Sequence, residues 1–324
     1  MMIEHLEETV IEAYEVLLEL ETDQASRSAE GKEDTLALDA VAEKAIINRL
    51  RKGDIIVTEE QGVLPSNAIF SSEETIYFID PVDMSKQLDI FLRRCSKEGM
   101  KVREALQLTY DFSWDEFNSP VISLTAVQRG QVQANIMLNI PLGRMYVASE
   151  EEIYTYTINE SSRREKINMT ESSFGILPTT SDLPNKPHYG ARIKQLNLQN
   201  IARHVEPGPH RILFLTDRYN QNQSVGGILS NGEKITEWIG WLAYARQANM
   251  AVVEFYVKQG TEEKDQLATP HSSIFTINGS IDISALNKHE KPARYRSLLA
   301  VMPTQNLVGF TDNLETEGFS YRIL

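Results

Sequence analysis

Apolar positions recur along this chain with two different periods, and each stretch predicts an element. Over residues 3–20 they return every three or four positions between glutamates, the spacing of an amphipathic helix. The polar residues 22–34 predict a loop. Leu38, Val41, Ala45, Ile46 and Leu50 then repeat the helical spacing until Gly53 stops it. Ile55-Ile56-Val57-Thr58 and Ile76-Tyr77-Phe78-Ile79 are β-branched and aromatic runs, predicted as buried strands. Residues 120–127, the turn at Arg129-Gly130 and residues 132–138 predict a hairpin, and residues 139–148 a further turn and strand. Signals weaken from Ser149 to about Pro209, with short strands and polar loops. Beyond it, residues 211–216 read as a strand, residues 225–229 as helix-forming, residues 237–245 as a helix apolar nearly all round, and residues 251–257 as a strand. That alternation predicts a βαβ layer with a mostly parallel sheet.

Two of the predicted strands end in acids. The first delivers Glu59-Glu60, and the second delivers Asp80-Pro81-Val82-Asp83-Met84-Ser85. Pro81 lacks an N–H and cannot continue a strand ladder, so a turn there can aim both aspartates outward together. Alone, such a turn also serves simply to bond aspartate side chains to nearby N–H groups. Ser85 can cap a helix running through Leu92, which sets N–H groups for an anion beside carboxylates for a cation. Acids crowded from two strand ends need a counter-charge, either protons or a hard cation.

Composition narrows the partners. The chain has 324 residues, 41% hydrophobic and 24% charged, as in an ordinary globular protein. Its 32 Lys and Arg against 46 Asp and Glu give a net charge of −14, which disfavours nucleic acid and anionic membranes. The only cysteine, Cys95, excludes an internal disulfide and suits a reducing cytoplasm. Neither a signal peptide nor a membrane span is expected from the apolar pattern.

Glu59-Glu60 followed by Asp80-Pro81-Val82-Asp83-x-Ser85 resembles the signature of the inositol monophosphatase and fructose-1,6-bisphosphatase superfamily, magnesium-dependent and lithium-sensitive phosphatases. The resemblance implies a layered αβαβα fold of the α/β class. An α+β half with an antiparallel sheet would span residues 1–150, and an α/β half completing the site residues 151–324. It implies Mg²⁺ ions held by Glu59, Asp80, the Val82 carbonyl, Asp83 and a late acid. Two ions are expected, with a third position at Asp39. The family's late acid lies in a Trp-Asp motif missing here, and Asp265, eleven residues after Glu254, is the best match. Glu59 or Glu60 would orient the attacking water, and Met84, Ser85, Glu254 and Lys258 would line the substrate.

Residues 93–119 look like an insertion relative to smaller family members, either a lid, an oligomer contact or a surface loop. Met84 stands where the family has Gly, Lys264 where it has Trp, and Lys258 where inositol-specific members carry Glu. The leading expectation is a Mg²⁺-dependent phosphomonoesterase acting on a small phosphorylated metabolite: an inositol phosphate, a sugar phosphate or a bisphosphate. Its rival is a catalytically degenerate relative that binds metal or a phosphorylated ligand without turnover. The family's habit implies a homodimer or homotetramer.

Overall fold

The computed structural model describes residues 2–28, 36–50, 53–66, 74–108, 114–169, 203–205, 209–217, 227–257, 296–316 and 318–324. Eight strands form the first sheet: β1 (Ile55–Thr58), β2 (Gly62–Leu64), β3 (Thr75–Asp83), β4 (Val121–Gln128), β5 (Gln131–Asn139), β6 (Arg144–Ser149), β7 (Ile153–Thr157) and β8 (Glu165–Lys166), in the order β2-β1-β3-β4-β5-β6-β7-β8. Only β1 and β3 run parallel, Thr58 opposite Ile79, so both deliver their acids at the same edge. All other pairs are antiparallel. The predicted hairpin is β4–β5, turning through Arg129 and Gly130, both at positive φ.

One face of this sheet is covered by α1 (Met2–Leu18), α2 (Thr22–Ala25), α3 (Ala37–Arg49), α4 (Ser85–Cys95) and α5 (Val102–Leu106). Leu6, Val10 and Leu17 of α1, Leu38 and Ile46 of α3 and Leu88 and Phe91 of α4 form one core with Ile79, Leu124 and Ile136 of the strands. The expected loop after α1 begins with the short α2, and its residues 29–34 lie outside the described part. The described parts of the expected insertion, residues 93–108 and 114–119, pack onto the helices. Val102 and Ala105 of α5 are fully buried, Arg103 pairs with Glu15 and Glu19 of α1, and Trp114 packs edge-on to Phe91 at 5.7 Å.

The second sheet holds β9 (Arg203–Val205), β10 (Ile228–Lys234), β11 (Met250–Val257), β12 (Arg296–Pro303) and β13 (Phe319–Ile323), ordered β13-β11-β12-β10-β9. Here the expectation of a mostly parallel sheet fails: among the described residues β9–β10 is its only parallel pair. β11 pairs antiparallel with both β12 and β13, and antiparallel neighbours need no crossover helix between them. Of residues 211–216, expected as a strand, 211–215 lie in a 3-10 helix over Pro209–Leu215, and the chain expected as helical near residue 229 is β10. The long buried helix is two pieces, α6 (Ile235–Trp238) and α7 (Trp241–Arg246), meeting at Gly240.

Between the sheets, Trp238, Trp241, Leu242 and Tyr244 share a core with Val57 and Phe78 of the first sheet and Val252, Leu299 and Val301 of the second. On the far side of the second sheet, α8 (Leu307–Thr316) sets Phe310 against Phe255 at 5.9 Å. Helices, sheet, helices, sheet and helix therefore stack in five layers, the α/β architecture expected. Among the described residues no helix is long and apolar enough to cross a membrane.

Candidate functional site

The site begins with a defect in β3. Its pairing to β4 advances from Asp80 opposite Ser123 to Asp83 opposite Val121, three residues against two. The extra residue makes a bulge at Pro81-Val82, where a missing proline N–H costs no ladder bond. In an unbroken strand Asp80 and Asp83 would point to opposite faces. The bulge removes that alternation, and the two carboxylates feel one another's charge. Next door, the Glu59 N–H donates to Ile79 O at 3.3 Å, which holds Glu59 beside Asp80.

The chain then turns into α4 through Met84, at φ 61° and ψ 28°. Ser85 was expected as the cap, but Met84 holds that position: its carbonyl accepts from Gln87 N at 3.0 Å and Leu88 N at 3.1 Å. Ser85 is the first helical residue and donates to the Asp39 carboxylate. No acid lies in the first turn of α4, so its positive end is unopposed by its own side chains.

Asp39, in the first turn of α3, is 4% exposed. Burial, then the charges of Glu60 and Glu59, pushes its pKa up to about 8. Asp80 is 1% exposed and neither of its carboxylate oxygens has a hydrogen-bond partner. Burial, with Glu59, Asp83 and Glu237, holds its pKa well above the usual carboxylate range.

The third carboxylate comes from the second half of the chain. Glu59, Asp80 and Glu237 each offer an oxygen within 4.8 Å of the other two, a group that could hold a metal ion. Glu237 stands at the start of α6, where it accepts the Lys234 N–H at 2.6 Å. Burial is the largest influence on Glu237 and raises its pKa to about 7. The Lys234 ammonium is hydrogen-bonded to Glu59 Oε1 and lies 3.5 Å from Glu237 Oε1. Burial works against that ammonium, yet Glu237, Glu59 and Asp80 together keep it protonated well above the usual lysine range. The counter-charge expected from protons or a cation is thus supplied in part by the chain itself. His210, fully buried in the 3-10 helix, places Nδ1 3.1 Å from Asp83 Oδ2. Burial, aided by Arg211, depresses its pKa and favours the neutral imidazole.

No protein-family profile matches the sequence, and no curated protein does. Solved structures do match in three dimensions over nearly full length. The extragenic suppressor protein SuhB of Bartonella henselae superposes with a TM-score of 0.54 at 12% identity, covering 97% of this chain and 98% of its own. An Anabaena inositol monophosphatase gives 0.53 at 12% over 97% and 95%. CysQ of Bacteroides thetaiotaomicron, described as a bacterial member of the inositol monophosphatase family, gives 0.54 at 12% over 93% and 96%. The chain has the inositol monophosphatase fold.

Within that fold, the expected Glu59, Asp80 and Asp83 converge, with Val82 in the bulge between the two aspartates and Asp39, Glu60 and Ser85 alongside. Glu254 is buried in β11, 3.8 Å from Arg322, and is not part of the three-carboxylate group. Asp265 and Lys258 lie outside the described residues. Glu237, Lys234 and His210 were not anticipated. An acid three residues after a strand end, followed by an apolar run, was a visible helix-start pattern for Glu237. It was obscured because Lys234 stands where a capping Ser or Thr would announce it. Nothing local marks His210, which reaches the site only by tertiary packing.

An oxygen-only donor set with two buried, unpartnered Asp80 oxygens fits a hard divalent ion such as Mg²⁺.

Proposed function

We propose that this chain is a phosphomonoesterase that uses Mg²⁺ to hydrolyse a small phosphorylated metabolite, an inositol phosphate, a sugar phosphate or a bisphosphate. The observation that carries the reading is the pairing of Asp80's unpartnered carboxylate with the N-terminus of α4, which has no acid in its own first turn, at the same sheet edge. Acids for a cation and N–H groups for a phosphoryl anion then meet at one place.

Asp80, Glu59, Glu237 and Asp83 would hold the metal. When bound, a divalent ion supplies Lewis acidity toward a phosphoryl oxygen and makes a bound water more acidic. The N–H groups at the start of α4 bind the phosphoryl oxygens and orient phosphorus for in-line attack. Glu60, beside Asp39 and Glu59, takes a proton from the attacking water. The water oxygen forms the new P–O bond, the ester P–O bond breaks, and the departing alkoxide is protonated from solvent. His210, with Nδ1 3.1 Å from Asp83 Oδ2, would limit the movement of that carboxylate.

The test is phosphate release from a panel of inositol and sugar phosphates with Mg²⁺, with EDTA, and with Mg²⁺ plus Li⁺. Release that requires Mg²⁺, falls with Li⁺ and is abolished in Asp80→Asn is the expected result. A second reading is a relative that binds a phosphorylated ligand without turnover, favoured by Met84 in a backbone region suited to Gly. Ligand-induced thermal stabilisation without phosphate release across the panel would select it.

A further inference from the structure

The carboxylate group at the junction of the two sheets contains a positive charge that the chain carries there itself. Lys234 closes β10, and α6 begins at the next residue, so the backbone of two elements fixes where its side chain starts. The ammonium reaches Glu59 of the first sheet and Glu237 of its own helix, two of the three residues that could hold a metal. Asp80, the third member of the group, keeps both oxygens unpartnered beside them.

We propose that the Lys234 ammonium permanently fills one cation position of this site, so that the chain takes up a single divalent ion there, on Asp80 and its neighbours, instead of a pair. Charge balance supports a single ion. The ammonium already offsets one carboxylate charge of the group, so less negative charge is left to hold a second ion. A second divalent ion would stand a few ångströms from both the first and the ammonium, with one oxygen of the group, Glu59 Oε1, already bonded to lysine. At such range like charges repel by several kcal/mol even at an effective dielectric of about 20. Geometry agrees: an Oε1 atom that accepts from a lysine has one fewer lone pair for a metal. In turnover, which rests on the phosphatase reading above, Lys234 would neutralise charge on a phosphoryl oxygen, a task otherwise left to a second ion.

The experiment counts ions. Metal-stripped protein is titrated calorimetrically with Mn²⁺ and with Mg²⁺, and the same is done for Lys234→Met and Lys234→Arg. One ion per chain in the wild type and in Lys234→Arg, rising to two in Lys234→Met, is the expected result. Lys234→Met should also melt lower than wild type in EDTA and recover with Mg²⁺ by a larger shift than the wild type shows. Two ions or none in the wild type, or one ion bound by Lys234→Met with unchanged affinity, would overturn the proposal. Should Lys234→Met fail to fold even with Mg²⁺, the wild-type count alone decides. A count of one with no phosphate release leaves this proposal standing and removes the phosphatase reading, so the two failures are told apart.

Discussion

Met84 carries a side chain in left-handed backbone geometry, which costs a non-glycine residue about 1–2 kcal/mol. Met84→Gly removes that strain and adds about 0.5–1 kcal/mol of unfolded-chain entropy, so a net gain of roughly 0.5–1 kcal/mol in stability is expected. Urea denaturation measures it, and a loss of stability would mean that the methionine side chain contributes more than its backbone costs. Asp39 makes a second prediction at this scale. Its carboxyl holds a proton up to about pH 8 in the fold, because of burial first and the Glu60 and Glu59 charges next, and releases it at the ordinary carboxylate pKa when unfolded. Between those two values the folded state binds more protons, so metal-free stability falls as pH rises through that window. Asp39→Asn should flatten the slope of melting temperature against pH in EDTA and melt above the wild type at pH 8–9. Parallel slopes for the two proteins would refute the assignment. Residues such as Asp80 and Asp83 were legible because their chemistry sits in one short string. Lys234 and His210 were not, since only folding brings them to the acids.

At the scale of elements, Gly240 decides how α6 and α7 sit on the first sheet. A Cβ there would stand 2.3 Å from Asn135 Nδ2 and 3.0 Å from Thr125 Oγ1. Asn135 is buried and donates to Thr125 Oγ1 at 2.9 Å, so it cannot swing aside without breaking that bond. Gly240→Ala is expected to cost about 2–4 kcal/mol, overpacking plus a lost buried hydrogen bond. Asn135→Ala in the same chain should recover part of it, and a cost that the second change leaves untouched would place the strain elsewhere. This contact also explains an unreadable boundary. Residues 237–245 are apolar nearly all round, so periodicity alone promises one helix and gives no sign of the break. Strands β1 and β3 were readable from β-branched runs that stop at acids. The second sheet was not: antiparallel and parallel strands have the same local pattern when buried on both faces, and only the connections tell them apart.

For the whole molecule, the core between the sheets draws on both halves of the chain, with Trp238 and Trp241 at its centre. Neither sheet can expose that face without the other losing it. Thermal unfolding is therefore expected to be one transition, with tryptophan fluorescence and far-ultraviolet circular dichroism coinciding. Two separated midpoints would show that the halves melt independently. The layered architecture was foreseeable from the short acidic signature and its resemblance, even at a sequence identity of 12% to the solved structures. The signature lies where chemistry constrains the chain, whereas the layers need only a pattern of apolar residues that many sequences satisfy.

Lys234 enters the chain about 150 residues after Asp83. A ribosome adding roughly 5–20 residues per second needs about 8–30 s to cover that distance. During this time the nascent first half carries Asp39, Glu59, Asp80 and Asp83 without Lys234 to meet them. The bond from Lys234 to Glu59 can form only once Lys234 has emerged, and so the order of synthesis puts the completion of this site after all the strands of the first sheet have been made.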